Sequence, residues 1–197
     1  MFRCFLWSSP GLLFPGRFWR SRDCKDDHGI FGRLFFWQDQ YSTLEAQFRF
    51  HFSVAVFGID NLVSFAGFVR HEELQDELSR AHIFCHPSRT LNNGDKEGIP
   101  NTILEAMATG LPVVTTRHAG IPEMVRDGED GFVVAERDVT AIAQALLTLV
   151  KEPDLRAIMG CKATRQVQEK ADAVRLTAKL EAIYDEVITS TRESRSA

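Results

Sequence analysis

Two glutamates with seven residues between them bracket a glycine, a proline and the start of an apolar run: Glu97-Gly98-Ile99-Pro100-Asn101-Thr102-Ile103-Leu104-Glu105-Ala106. This is the composition of a loop entering a helix. Gly98 lets a backbone come close to a ligand, and Pro100 presets the first helical turn. The N–H groups of Asn101, Thr102 and Ile103 are then free to point out of the helix start, where the dipole favours an anion such as a diphosphate. Glu97 and Glu105 flank that point, and carboxylates suit hydroxyl groups, each bond being worth about 1.5–3 kcal/mol. An anion cradle between two hydroxyl-binding acids describes a nucleotide-diphosphate-sugar, with the phosphates in the middle, a ribose on one side and a hexose on the other. The spacing alone is weak, because 14 glutamates in this chain give about one such pair by chance. Without context, two solvated glutamates on a surface helix would be the better reading.

The context is a run of elements in a regular order. Val63 to Phe68 reads as a short strand and Glu72 to Ala81 as a helix with acids in its first turn. His82 to His86 is a second strand stopped by Pro87, and residues 89–98 are a polar loop. Pro100 to Thr109 is a helix with proline at its first position and Gly110 just past its end. Pro112 to Thr115 and Gly131 to Val134 are short apolar strands of the kind buried in a parallel sheet. Helices fill Thr140 to Lys151, Pro153 to Lys170 and Ala173 to Ile188, and residues 190–197 read as a disordered tail. Strands alternating with helices predict an α/β fold, a Rossmann-like doubly wound parallel sheet.

Residues 1–31 read differently. All three tryptophans and seven of the fifteen phenylalanines lie in the first 37 residues, among Gly, Pro and Arg with neither a 2 nor a 3.6 period. No stable element is predicted there, and the stretch does not look like a native domain. A misread or frame-shifted segment would have this pattern; a short hydrophobic extension packing on a partner is the alternative. Its longest uncharged run, Cys4 to Gly16, is broken by Pro10, Gly11 and Pro15 and fits neither a signal core nor a membrane span.

Composition excludes several classes. Apolar residues make up 44% and charged residues 25%, the proportions of a globular chain. A net charge of -4 leaves no basic footprint for nucleic acid. Cys4, Cys24, Cys85 and Cys161 form no C-x-x-C pair, which argues against a zinc site or disulfide framework and for a reducing, cytoplasmic compartment. His82 and His86 share a strand face but stand roughly 13 Å apart, too far to chelate one ion. His118 falls on the loop after the third strand, near the ligand edge of such sheets, where it either approaches a ligand or stands in water.

The segment from Cys85 to Asp138 resembles the donor-binding domain of the large retaining GT-B glycosyltransferase family, and within it the enzymes of bacterial exopolysaccharide assembly similar to colanic acid transferases. The matching motifs are Pro87-Ser88, the Glu-x7-Glu segment, ATGLPVV, Gly120 to Glu123 (GIPE) and DGEDGFVV. The resemblance implies the C-terminal half of a GT-B fold over residues 32–189, incomplete before about Asn61. It implies that Glu97 holds donor-sugar hydroxyls and steadies the charge that develops at the breaking glycosidic bond. Glu105 would hold the ribose, backbone groups of Gly98, Ile99, Pro100, Asn101 and Thr102 would meet the sugar and the diphosphate, and the Gly67-Phe68-Val69 turn would line the base pocket. Arg33 falls where the family has a phosphate-clamping arginine, but the partner lysine position holds Gln38. The sheet strand expected next is Ser53 to Gly58.

The resemblance further implies transfer of a hexose from a UDP- or GDP-sugar to a saccharide or lipid-linked acceptor, with no cofactor and no catalytic metal. In the family the acceptor binds a separate N-terminal domain, so this chain alone is expected to transfer sugar poorly. A non-catalytic remnant or nucleotide-sugar-binding module is the alternative. A dinucleotide oxidoreductase is a distant third, since no G-x-G-x-x-G follows a predicted strand. The last helix carries Leu176, Leu180, Ile183, Tyr184 and Val187 at helical spacing, a stripe for core packing or, if left bare, for self-association or peripheral membrane contact.

Overall fold

The computed structural model describes residues 4–7, 34–36, 56, 58, 63–67, 70–90 and 98–196. Among these, six strands form one sheet: β1 (Cys4–Trp7), β2 (Leu34–Phe36), β3 (Val63–Gly67), β4 (Ile83–His86), β5 (Val113–Thr116) and β6 (Gly131–Val134). Their order is β3-β1-β2-β4-β5-β6, and every pairing is parallel. The helices are α1 (His71–Arg80), α2 (Asn101–Ala108), α3 (Ile121–Met124), α4 (Val139–Lys151), α5 (Pro153–Lys170) and α6 (Ala173–Ser196). This is the doubly wound α/β fold read from the sequence.

Side-chain alternation along the strands builds two cores. Phe84, Val113 and Val133 face one side and pack with Leu74 and Leu78 of α1, Ile103, Ala106 and Met107 of α2, and Ala163 of α5. Ile83, Cys85 and Val114 face the other and pack with Ala145 and Leu149 of α4 and Met159 of α5. With apolar residues on both faces, the strands read as continuous hydrophobic runs.

Local signals end the helices where expected. Past α2, the Gly110 N–H donates to the Met107 carbonyl and the Leu111 N–H to the Ala106 carbonyl. With Gly110 at φ 83, this is a Schellman turn. Pro100 is the N-cap of α2, not its first residue: its ψ of 127 is extended, and the first helical position passes to Asn101. Asp138 caps α4 by accepting from the Ala141 N–H at 2.9 Å.

Four expectations are corrected. The apolar run Cys4–Trp7 is a strand, placed between β2 and β3, although residues 1–37 predict no stable element. A run of four residues is too short to show a period, and only its sheet neighbours define it. Within the predicted strand Ser53 to Gly58, Val56 is helical and Gly58 a turn at φ 62. The last helix does not stop at Ile188 but carries through the predicted tail to Ser196; no glycine or proline interrupts that stretch. The stripe on α6 is bare, with Leu176, Leu180, Ile183, Tyr184 and Val187 all about half exposed. Cys161 takes part in a disulfide, against the expectation from cysteine spacing, while Cys85 is free and buried.

Candidate functional site

The topology sets where a ligand fits. After β2 the chain returns to β3 on one side of the sheet, and after β4 it continues to β5 on the other. The crevice beyond the carboxyl ends of β2 and β4 is therefore the switch point where open α/β sheets bind ligands. The loop leaving β4 leads into α2, so the start of α2 opens on this crevice.

At that start, Gly98 is exposed, and a Cβ built on it would meet nothing within 4 Å. Ile99 is braced from the β5 loop: a Cβ on Gly120 would stand 2.9 Å from Ile99 Cγ1, so only glycine fits there. Pro100 is buried and Asn101 exposed. Among the described residues the Asn101 and Thr102 N–H groups have no acceptor, as the first N–H groups of a helix do. The Ile103 N–H, expected to be free, donates to the Pro100 carbonyl at 3.0 Å, because the first turn is wound tightly. Thr102 Oγ1 lies 3.5 Å from His86 Nδ1, tying α2 to the end of β4.

Glu105 is half-buried, and its Oε2 has no hydrogen-bond partner among the described residues. Burial pushes its carboxyl up to about 7. A buried acceptor left unpaired costs about 1–3 kcal/mol, which a ligand hydroxyl would recover. Ser88 Oγ, two residues past β4, is a second buried group without a partner among the described residues. The sequence placed Ser88 in a motif but gave it no role.

A third carboxylate, Glu136 after β6, was missed altogether. It accepts from the Thr90 N–H at 2.9 Å and from Thr90 Oγ1 at 3.1 Å, and it pairs with His118 Nδ1 at 2.7 Å. The Thr90 N–H is the main cause holding the Glu136 carboxyl below the ordinary range; partial burial opposes it and His118 adds to it. His118 is 1% exposed, so it does not stand in water. One carboxylate thus ties together the loops after β4, β5 and β6. Glu136→Ala is expected to cost about 1–3 kcal/mol in urea unfolding at pH 7. The difference from wild type should shrink as pH falls through the carboxylate range, since a depressed folded pKa stabilises only above the unfolded value. No loss at pH 7 would refute the tie.

Several expected site residues, Glu97, Arg33, Phe68 and Val69, lie outside the described residues. Gly67 ends β3 on the same edge of the sheet as α2, three strand positions from β4, or roughly 14 Å. Among the described residues, no group of three or more His, Cys, Asp or Glu is placed to hold a metal ion. No described helix is long and apolar enough to cross a membrane.

The sequence pattern of the family described as Glycosyl transferases group 1 matches residues 40–152, more than half the chain. The chain belongs to that family. It is 42% identical over 109 residues to the amylovoran biosynthesis glycosyltransferase AmsK of Erwinia amylovora, covering 55% of this chain and 26% of that protein. It is 39% identical over 110 residues to the putative colanic acid biosynthesis glycosyltransferase WcaL of Escherichia coli K12, covering 56% and 25%. This glycosyl transferase chain thus spans about a quarter of the length of the curated relatives it matches. Its fold is similar to that of Anabaena HepE, solved with UDP, at a TM-score of 0.67 and 20% identity, covering 79% of this chain and 41% of that one. It is also similar to the C-terminal domain of the group 1 glycosyl transferase LpcC of Francisella tularensis, at a TM-score of 0.61 and 23% identity, covering 73% and 71%. At such identities the likeness is one of fold, and that fold is the C-terminal half of GT-B.

Proposed function

We propose that residues 32–189 bind the donor in a retaining hexosyltransferase of polysaccharide assembly, which passes a hexose from a UDP- or GDP-sugar to a saccharide or lipid-linked acceptor. The observation that carries this reading is the start of α2. Two N–H groups with no acceptor among the described residues lie at a switch-point crevice, one helical turn from a half-buried carboxylate whose Oε2 has no partner among them. In this reading Asn101 and Thr102 meet the diphosphate and Glu105 the ribose. Glu97 holds the donor sugar and steadies the charge developing at its anomeric carbon, and Arg33 and the Gly67-Phe68-Val69 turn serve phosphate and base. No metal takes part.

The relatives leave the base open, because HepE was solved with UDP, whereas a Mycolicibacterium smegmatis relative 41% identical over 104 residues is named a GDP-mannose-dependent mannosyltransferase acting on a phosphatidylinositol monomannoside. A lipid-linked acceptor would bring the chain to a membrane face, with the bare α6 stripe as a peripheral or self-association contact. Since the matched span is a quarter of the relatives' length, the isolated chain is proposed to hold donor with little transfer. A nucleotide-sugar-binding module without turnover is the second reading.

Calorimetric titration of the chain with UDP, GDP and their hexose conjugates tests the donor site, with Glu105→Ala as control. Saturable binding of one nucleotide, weakened about tenfold or more by the loss of a charge-assisted bond, is expected. A folded sample that binds none of them would overturn the reading.

A further inference from the structure

Every residue of α6 from Ala173 to Thr191 is exposed, so no side of this 24-residue helix is buried among the described residues. Helices in water owe most of their stability to a packed face. The sequence of α6 contains such a face with nothing on it. Leu176, Leu180, Ile183 and Val187 are each about half exposed. At 3.6 residues per turn they fall within about 60° of one another around the helix axis. Their steps of four, three and four residues make the seam of a helix pair. Thr177 and Tyr184 stand on one flank of that seam, Lys179 and Glu186 on the other.

The flanking charges select the partner. When two α6 helices run antiparallel, Leu180 of one lies against Ile183 of the other, and Leu176 against Val187. That register sets Lys179 opposite Glu186 on one flank and Thr177 opposite Tyr184 on the other. Two-fold symmetry repeats every pair, so a single self-complementary helix forms two ion pairs. A parallel pair would set Lys179 against Tyr184 and Glu186 against Thr191, with no charge matched. Lys179 and Glu186 are both exposed, and neither is in a salt bridge among the described residues. The next flanking pair outward, positions 172 and 193, is of like charge, which confines the contact to the span from Ala173 to Ser190.

We propose that α6 is a docking surface for a second copy of this chain, the two joined as an antiparallel helix pair. The contact is about 26 Å long and one helix wide, which places it among the small, transient interfaces, so the dimer is reversible and forms at micromolar concentration. A lipid surface fits this helix less well. Helices that lie on membranes carry a basic polar face, whereas in the span of the contact Arg175 and Lys179 are outnumbered by Glu181, Asp185 and Glu186. The pairing goes beyond the donor reading and does not depend on it.

Sedimentation equilibrium of the full chain over a range of concentrations tests the pairing, with co-sedimentation on phosphatidylglycerol vesicles run alongside. A monomer–dimer equilibrium is expected, and the Leu180→Lys, Ile183→Lys double variant should abolish it. Lys179→Glu or Glu186→Lys alone turns both ion pairs into like-charge pairs and should weaken the dimer about tenfold. The two together exchange the charges and should restore wild-type affinity. A parallel pair or unspecific clustering would show no such rescue. All four side chains are exposed, so the substitutions leave the folded domain intact, which a thermal melt of each variant verifies. The proposal is overturned if the wild type is monomeric at every concentration, if the double lysine variant dimerises like wild type, or if exchanging the charges restores nothing. It is overturned equally if the stripe governs vesicle binding while the chain stays monomeric.

Discussion

Glu105→Gln is expected to melt higher than wild type at pH 8, melt the same as wild type near pH 4, and lose most of its nucleotide affinity at neutral pH. Burial raises the Glu105 carboxyl from 4.5 to about 7. A carboxyl raised in the folded state binds its proton more tightly there than in the unfolded chain. Stability is therefore greatest below about 4.5, falls as pH rises toward 7, and is level above. At about 1.36 kcal/mol per unit, the ionised, ligand-free carboxylate costs the fold up to about 3 kcal/mol. Glutamine cannot ionise and escapes that cost, so the gain belongs to the alkaline side alone. A vicinal diol donates to a carboxylate far better than to an amide, so donor affinity in wild type should climb with pH through about 7 and then level. In the glutamine variant it should be low and flat. Thermal melts at pH 4 and 8, paired with nucleotide titrations across the same range, decide the matter. Equal melting shifts at both pH values, or an unchanged affinity, would remove Glu105 from the donor site.

Gly160→Ala is expected to be among the most damaging single methyls at the described glycines. A Cβ on Gly160 would stand 2.1 Å from the Gly110 carbonyl oxygen and 3.0 Å from its carbon. Both are backbone atoms that no rotamer change can clear. Gly110 cannot retreat, because its φ of 83 closes the turn that ends α2. Helix α5 would have to lift off α2, stretching the bond from Thr164 Oγ1 to the Met107 carbonyl, 3.2 Å long, and loosening Ala163 in the core. Overpacking of this kind costs about 1–3 kcal/mol, and the upper end or beyond is expected where backbone is the obstacle. Gly98→Ala is the contrast: with nothing within 4 Å and no positive φ, it should leave the urea midpoint unchanged while weakening donor binding by filling the space a ligand needs. A Gly160→Ala protein as stable as wild type would show that α5 does not buttress the site.

How much of this was legible in the sequence follows from the range of the forces involved. The start of α2 was readable because a loop, a proline and a helix within ten residues settle their own geometry, and Gly110 marks the far end by the same local logic. The fate of the Ile103 N–H was not, since the tightness of the first turn depends on how Pro100 is packed. His118 looked like a loop histidine because nothing near it in sequence explains its burial; its partner Glu136 comes from the next strand.

The sequence by itself determined the alternation of strands and helices from Val63 to Lys170, the glycine that ends α2, the presence of an anion-and-hydroxyl segment, and the family. Each depends on residues close together in the chain. Tertiary structure alone decided that Cys4–Trp7 enters the sheet, that Glu105 is half-buried with its Oε2 unpaired among the described residues, and that Glu136 joins three loops. A strand of four residues gains its hydrogen bonds only from neighbours, and a carboxyl gains its altered pKa only from what covers it. Those terms arise between segments, and no window of sequence contains them.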